Sequence, residues 1–229
     1  MALKGILFDF NGTLFFDTPL HAEAFGKYCE QKGKPVFDID TFVAKIAGRS
    51  NLGVYTDLFD PHATAEDVQT FIDEKESMYR DLCLLRQDLF HLVDGTSELL
   101  DALKEKNIPY CLATGSGREN VDFYLDKMNL DRWFSYKNIV CADDGIECKP
   151  SPDIYYAASK KLGLSTSECL IFEDGTSGLL AANRAGAGGI IAVYEPILPS
   201  PLTDEARADH VYHDLRDWQK ILKNYGILE

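Results

Sequence analysis

The 229-residue sequence predicts an α/β fold. A parallel sheet would be flanked by helices, with a block of helices inserted after the first strand. Two observations lead there. Short apolar runs recur along the chain, most of them ending in a carboxylate or hydroxyl followed by glycine, and helical patterns separate them. Strands alternating with helices build a parallel sheet covered on both faces. Residues from roughly 18 to 82 break that rhythm and carry helical patterns alone.

Lys4 to Phe10 (KGILFDF) reads as a buried strand that ends at a carboxylate and an Asn-Gly turn signal. Ile108 to Thr114 (IPYCLAT) is the second, closed by Gly-Ser-Gly and followed by a helical stretch from Glu119 to Met128. Tyr136 to Cys141 offers a further short run. Cys169 to Asp174 (CLIFED) ends in Gly-Thr-Ser-Gly before a helix from Leu179 to Arg184, and Gly189 to Tyr194 runs into prolines. The inserted block reads as helices at Pro19–Gln31, Thr41–Ile46, Leu52–Phe59 and Ala65–Leu84. Thr64-x-x-Asp67 supplies a helix-start signature for the last of them. The domains expected are thus 1–17 with 83–229 as core and 18–82 as insert, with hinges near Phe15–Thr18 and Leu84–Asp88.

Bulk properties narrow the function classes. Apolar residues make up 45% of the chain and charged residues 26%, an ordinary globular balance. The formal net charge of −14 argues against nucleic acid and anionic membrane as partners, because such a surface repels phosphate backbones. An anionic substrate would need positive charge concentrated at its site, which a divalent cation supplies most economically. The six cysteines are scattered without a C-x-x-C pair, which argues against zinc and redox chemistry. No signal-peptide pattern or long apolar stretch is seen, and a cytoplasmic location with reduced thiols is expected.

In open α/β sheets, functional groups gather at the carboxyl ends of the strands. Three predicted strand ends carry Asp9, Thr114 and the pair Glu173-Asp174, each next to small or turn-forming residues. Three carboxylates, a hydroxyl and glycine-rich backbone make an oxygen-rich rim of the kind that suits Mg²⁺. Lys149, on a loop between predicted strands, could add a fixed positive charge. Taken singly, an acidic strand end such as Asp174 also reads as a helix cap.

At these residues the sequence resembles the haloacid dehalogenase superfamily, in its helical-cap branch with the β-phosphoglucomutase-like phosphatases. Four stretches carry the resemblance in order. They are Phe8-Asp9-Phe10-Asn11-Gly12-Thr13-Leu14, Leu112-Ala113-Thr114-Gly115-Ser116, Lys149-Pro150-Ser151-Pro152, and Phe172-Glu173-Asp174-Gly175-Thr176-Ser177-Gly178. The resemblance spans essentially the whole chain. It implies a Rossmann-like core with a helical cap that closes over the site, and a small phosphorylated metabolite as substrate. It also implies that Asp9 attacks phosphorus to form an aspartyl-phosphate. Thr114, Gly115, Ser116 and backbone N–H groups near Asn11 and Gly12 would hold phosphoryl oxygens, and Lys149 would offset like-charge repulsion. The implied Mg²⁺ ligands are Asp9, the Asn11 carbonyl and Asp174, with Glu173 direct or through water.

One departure bears on mechanism. The family usually has a second aspartate two residues after the nucleophile, serving as general acid and base, and here that position is Asn11. An amide has no proton to exchange, and such a group contributes about 10²–10⁴-fold in rate.

Within the insert, His21 and Arg49 lie in stretches that resemble substrate-contacting regions. Arg49 suits a second anionic group, since its fork binds carboxylate or phosphate bidentately. The alternatives are a partly buried helix residue for His21 and a solvated charge for Arg49. The leading expectation is an Mg²⁺-dependent phosphatase, in which either Asn11 slows turnover, another group substitutes for the missing acid, or the Asn was engineered to trap a state. A sugar-phosphate mutase and a phosphate-binding protein without turnover stand beside it. Phosphonate hydrolysis lacks the lysine it would require near Arg49, and dehalogenation does not suit a metal-binding rim.

Overall fold

Gly5–Phe8 forms β1, the first strand in a computed structural model that describes residues 2–228. The chain then enters four helices, α1 (Thr18–Gln31), α2 (Ile39–Lys45), α3 (Asn51–Leu58) and α4 (Ala65–Leu85). After them come α5 (Thr96–Glu105), β2 (Tyr110–Ala113), α6 (Arg118–Lys127), β3 (Ile139–Val140) and α7 (Asp153–Lys161). The chain ends with β4 (Cys169–Glu173), α8 (Thr176–Arg184), β5 (Gly189–Val193), β6 (His210–Tyr212) and α9 (Trp218–Asn224). It divides into two units, one made of residues up to Phe16 with those from His91 onward, the other Asp17–Phe90. The turning residues expected around Leu84–Asp88 therefore fall inside the helical unit.

All six strands run parallel, in the order β3-β2-β1-β4-β5-β6. This is the α/β, Rossmann-like sheet the sequence predicts. The chain builds outward from β1 to one side and then returns to its other side with β4. That reversal opens a crevice beyond the carboxyl ends of β1 and β4. Residues of β1, β2, β4 and β5 are buried throughout, so these strands read in sequence as continuous apolar runs. In β1 and β4, Phe8 and Phe172 stand in register, their ring centroids 5.0 Å apart.

The strand expected over Tyr136–Cys141 is reduced to the two residues of β3. A turn precedes it, in which Asn138 accepts from the Ser135 N–H at 2.9 Å. The Tyr136 hydroxyl reaches outward to Asp122. Elements α5, α7, α9 and β6 were not anticipated. Strand β6 is largely exposed, so it lacks the apolar run that marks the others.

The helical unit has its own core, with Phe25, Tyr28, Cys29, Phe42, Ile46, Val54 and Phe71 buried together. Phe71 meets Tyr28 edge-on at 4.9 Å and packs on Tyr55 at 5.3 Å. Such pairs contribute roughly 0.5–1.5 kcal/mol beyond the area they bury. Side-chain caps set where the helices begin. Asp38 accepts from Thr41 N and Ser50 from Gly53 N, starting α2 and α3 earlier than their apolar patterns suggest. Thr64 and Asp67 form the reciprocal capping box of α4. Among the described residues, no helix is long and apolar enough to cross a membrane.

Candidate active site

Asp9 is the first residue beyond β1. Its N–H bonds the Phe172 carbonyl at 3.0 Å, continuing the ladder and holding the carboxylate at the mouth of the crevice. The chain then turns tightly, with Thr13, Leu14 and Phe15 N–H groups converging on the Phe10 carbonyl. The turn requires Gly12 twice over. Its φ is +81°, and a Cβ there would lie 2.0 Å from Asp174 Oδ2. The Gly12 N–H is engaged by the Phe15 carbonyl at 2.7 Å, and the missing side chain leaves room for Asp174.

Four charged side chains meet here. Lys149 Nζ lies 2.5 Å from Asp9 Oδ1 and also bonds Glu173 Oε1. Asp9 Oδ2 accepts from the Thr13 hydroxyl at 3.1 Å, and the same hydroxyl lies 3.3 Å from Asp174 Oδ1. Asp9 is 6% exposed and Glu173 1%. Glu173 is surrounded by donors. Its Oε1 also accepts from the Tyr155 hydroxyl at 2.5 Å, and its Oε2 from the N–H groups of Asp174 and Gly175 at 3.0 and 3.3 Å. Helix α8 comes so close that a Cβ on Gly178 would stand 1.9 Å from the Glu173 carboxylate.

Burial raises the pKa of Asp9 to about 7; Lys149 opposes that shift and Glu173 adds to it. For Lys149, burial works to lower the pKa, but Asp9 and Glu173 outweigh it and hold the ammonium above its ordinary value. Burial also lifts Tyr155 well above the usual phenol range, reinforced by Glu173 and Asp9, so it remains a donor.

Oxygens of Asp9, Glu173 and Asp174 lie within 4.8 Å of one another. With all three carboxylates ionised, they and the one ammonium would carry two net negative charges, the charge a divalent cation would neutralise. The donors are all oxygen, with no His or Cys in the group, which fits a hard cation of the Mg²⁺ kind. Since Glu173 already accepts four hydrogen bonds, the carboxylates best able to take a metal are Asp9 and Asp174.

Asn11 sits opposite. Its Oδ1 accepts from Ser116 Oγ at 2.7 Å and Thr114 Oγ1 at 3.3 Å, and its Nδ2 donates to the Tyr124 hydroxyl at 3.0 Å. Ser116 N in turn donates to Thr114 Oγ1 at 3.1 Å. The amide is thus tied to both hydroxyls at the end of β2. Beside Gly115, which lies between them, there is open space where a Cβ would stand.

The first unit therefore brings together Asp9, Asn11, Gly12, Thr114, Gly115, Ser116, Lys149, Glu173 and Asp174. His21 and Arg49 belong to the helical unit, where each has local partners. The His21 ring stacks on Tyr79 with centroids 3.9 Å apart, and its Nε2 lies 3.2 Å from buried Asp17, to which Tyr79 donates at 2.6 Å. Arg49 donates to the Lys45 and Gly53 carbonyls at 3.1 Å each and pairs with Asp57. Its fork thus links the end of α2 to the start of α3. Sequence reasoning missed Thr13, Tyr124 and Tyr155. Thr13 was visible inside its motif, whereas the tyrosines come from helices whose apolar patterns show no functional mark.

A family model described as haloacid dehalogenase-like hydrolase matches residues 3–186. The bifunctional riboflavin kinase/FMN phosphatase of Arabidopsis thaliana is 28% identical over 97% of this chain, which spans 55% of that protein's length. A phosphorylated carbohydrates phosphatase of Thermotoga maritima is 26% identical, over 83% of this chain and 85% of its own. In structure, a haloacid dehalogenase hydrolase of family IA, variant 3, from Entamoeba histolytica aligns with a TM-score of 0.86. That alignment has 33% identity and covers 97% of this chain and 99% of the other. With that family model matching residues 3–186, and three of the four motifs at strand ends and the third on the loop before α7, the chain belongs to the haloacid dehalogenase-like hydrolases.

Proposed function

We propose that this chain is an Mg²⁺-dependent phosphohydrolase that takes a small phosphorylated metabolite through an aspartyl-phosphate on Asp9. The observation that carries the reading is Lys149 held against Asp9, with Asp174 beside them, at the crevice between β1 and β4. Asp9, Asp174 and the Asn11 backbone carbonyl would hold the metal, with Glu173 behind them. Bound there, the metal would supply positive charge for the phosphoryl oxygens and favour the ionised form of Asp9.

The residues divide the remaining work. The Asp9 carboxylate attacks phosphorus as the ester P–O bond breaks, and the leaving oxygen takes up a proton from solvent water. Lys149 offsets the repulsion between carboxylate and phosphate, while Thr114 and Ser116 turn their hydroxyls from Asn11 to the phosphoryl oxygens. Water then splits the aspartyl-phosphate, giving inorganic phosphate and free Asp9. Asn11 can orient groups in both steps but cannot carry a proton, so discharge is slow. A second reading, a protein that captures the phosphoryl group without releasing it, draws on the same Asn11 amide and its ties to Ser116 and Tyr124.

The net charge of −14 supports a small diffusible substrate rather than nucleic acid or membrane. Six unpaired cysteines suit a reducing cytoplasm. The test is phosphate release from a panel of sugar phosphates and other small esters, with and without Mg²⁺. Release that requires Mg²⁺ supports the reading, and release unaffected by chelation contradicts it. Phosphate capture without release would favour the second reading.

A further inference from the structure

Tyr155 takes no part in the steps above, yet its side chain is completely buried against the charged groups of the site. Its hydroxyl and the Lys149 ammonium donate to the same oxygen, Glu173 Oε1. The ammonium also lies 5.4 Å from the centroid of the Tyr155 ring, on its face. We propose that Tyr155 is a positioning residue, which holds Lys149 between Glu173 and Asp9 and thereby sets the affinity of the site for a phosphoryl group. The proposal rests on the phosphoryl-binding reading of the site.

Electrostatics at one oxygen make the case. Glu173 Oε2 is satisfied by the N–H groups of Asp174 and Gly175, so the two donors at Oε1 face each other across a single acceptor. While the Tyr155 hydroxyl satisfies part of that oxygen's demand, the ammonium can also bond Asp9 Oδ1 at 2.5 Å. Without the hydroxyl, Oε1 would have the ammonium as its remaining side-chain donor. Lys149 would be drawn toward Glu173 and away from Asp9, where the phosphoryl group arrives. The loop that carries Lys149 has a separate anchor, Arg184 Nη1 donating to the Pro150 carbonyl at 2.8 Å. Removing one hydroxyl should therefore shift the ammonium and leave the loop in place. A phenylalanine would keep the ring beneath Lys149, isolating the hydroxyl's contribution.

The experiment is a double-mutant cycle on phosphate affinity, with inorganic phosphate as the probe and Mg²⁺ present. Tyr155→Phe, Lys149→Met and the double variant are titrated by calorimetry, to concentrations high enough to read the weakened proteins. Tyr155→Phe alone should weaken phosphate binding by roughly tenfold, close to the lower end of what a hydrogen bond to a charged group contributes. In the Lys149→Met background the same change should have almost no effect, because the groups act as one unit. Tyr110→Phe removes another buried hydroxyl, one that donates to the Trp133 carbonyl at 2.9 Å, and should leave phosphate affinity unchanged. Equal losses in both backgrounds would make Tyr155 a packing residue and overturn the proposal, as would undiminished binding in Tyr155→Phe. A wild-type protein that binds no phosphate would also overturn it. Coupling in a protein that hydrolyses no ester would uphold the role of Tyr155 while the phosphatase reading fails. Turnover without coupling would do the reverse.

Discussion

In the sheet unit, Asp9, Glu173 and Lys149 are charged, nearly sealed from water, and satisfied mainly by one another and by backbone. In the helical unit the charges stay mostly outside an aromatic core, where they cap helices or pair along the surface, as Asp38, Asp67 and Arg49 do. Burying unlike charges side by side costs several kcal/mol per ion in lost hydration, which mutual attraction repays only in good geometry. A fold retains such a cluster when the cluster has work to do. An aromatic core with capped helix ends carries no comparable penalty, and stability alone accounts for it. The contrast separates residues arranged for chemistry from residues arranged for packing.

Breaking the charge cluster should give the largest effect. Lys149→Met leaves Asp9 and Glu173 facing each other without their shared cation. Phosphate release should fall by about 10²–10³-fold, the usual cost of losing an electrostatic stabiliser of the transition state. Denaturant unfolding should show a loss of roughly 3–5 kcal/mol, as when one partner of a buried ion pair is removed. Full activity in that variant would place the chemistry elsewhere.

Phe71→Ala tests the other region in its own terms. It opens a cavity among Tyr28, Tyr55 and Phe59 and should cost roughly 3–5 kcal/mol, read as an earlier unfolding midpoint. A loss below 1 kcal/mol would mean that the aromatic cluster is not the packing centre described above. Arg49→Ala should do least. Its partners are local and its side chain is 39% exposed, so stability should change by about 0.2–1 kcal/mol and KM by less than threefold. A tenfold rise in KM would return Arg49 to the substrate.

What was legible in the sequence follows the same division. A parallel strand buried on both faces must be apolar throughout, and the chain must turn where it ends. Phe8-Asp9 and Phe172-Glu173-Asp174 therefore announce both the strand and its functional terminus. Thr64 and Asp67 are legible because a capping box is a local device whose partners lie three residues apart. Tyr155 is not legible in the same way. Its partner Glu173 lies 18 positions away, and the two meet only after α7 packs across β1, β2 and β3. Tyr124 reaches Asn11 across 113 positions. Strand β6 escaped notice because a short exposed edge needs no apolar run. The partners of Arg49 are illegible for a related reason. A surface arginine has many acceptable acceptors, and backbone carbonyls at the end of α2 compete with any ligand.

The central claim is that Asp9 takes the phosphoryl group and that Asn11 makes its discharge slow. Rapid acid quench followed by intact-mass measurement tests it directly, on wild-type protein and on Asn11→Asp, each mixed with a phosphate ester the wild type turns over. Wild type should accumulate a phosphoryl group, mapped to Asp9 by digestion. Asn11→Asp should show it only fleetingly, with steady-state turnover raised by up to about 10²–10⁴-fold. Phosphate absent from Asp9 in wild type, or an equal lifetime in the two proteins, would contradict the account.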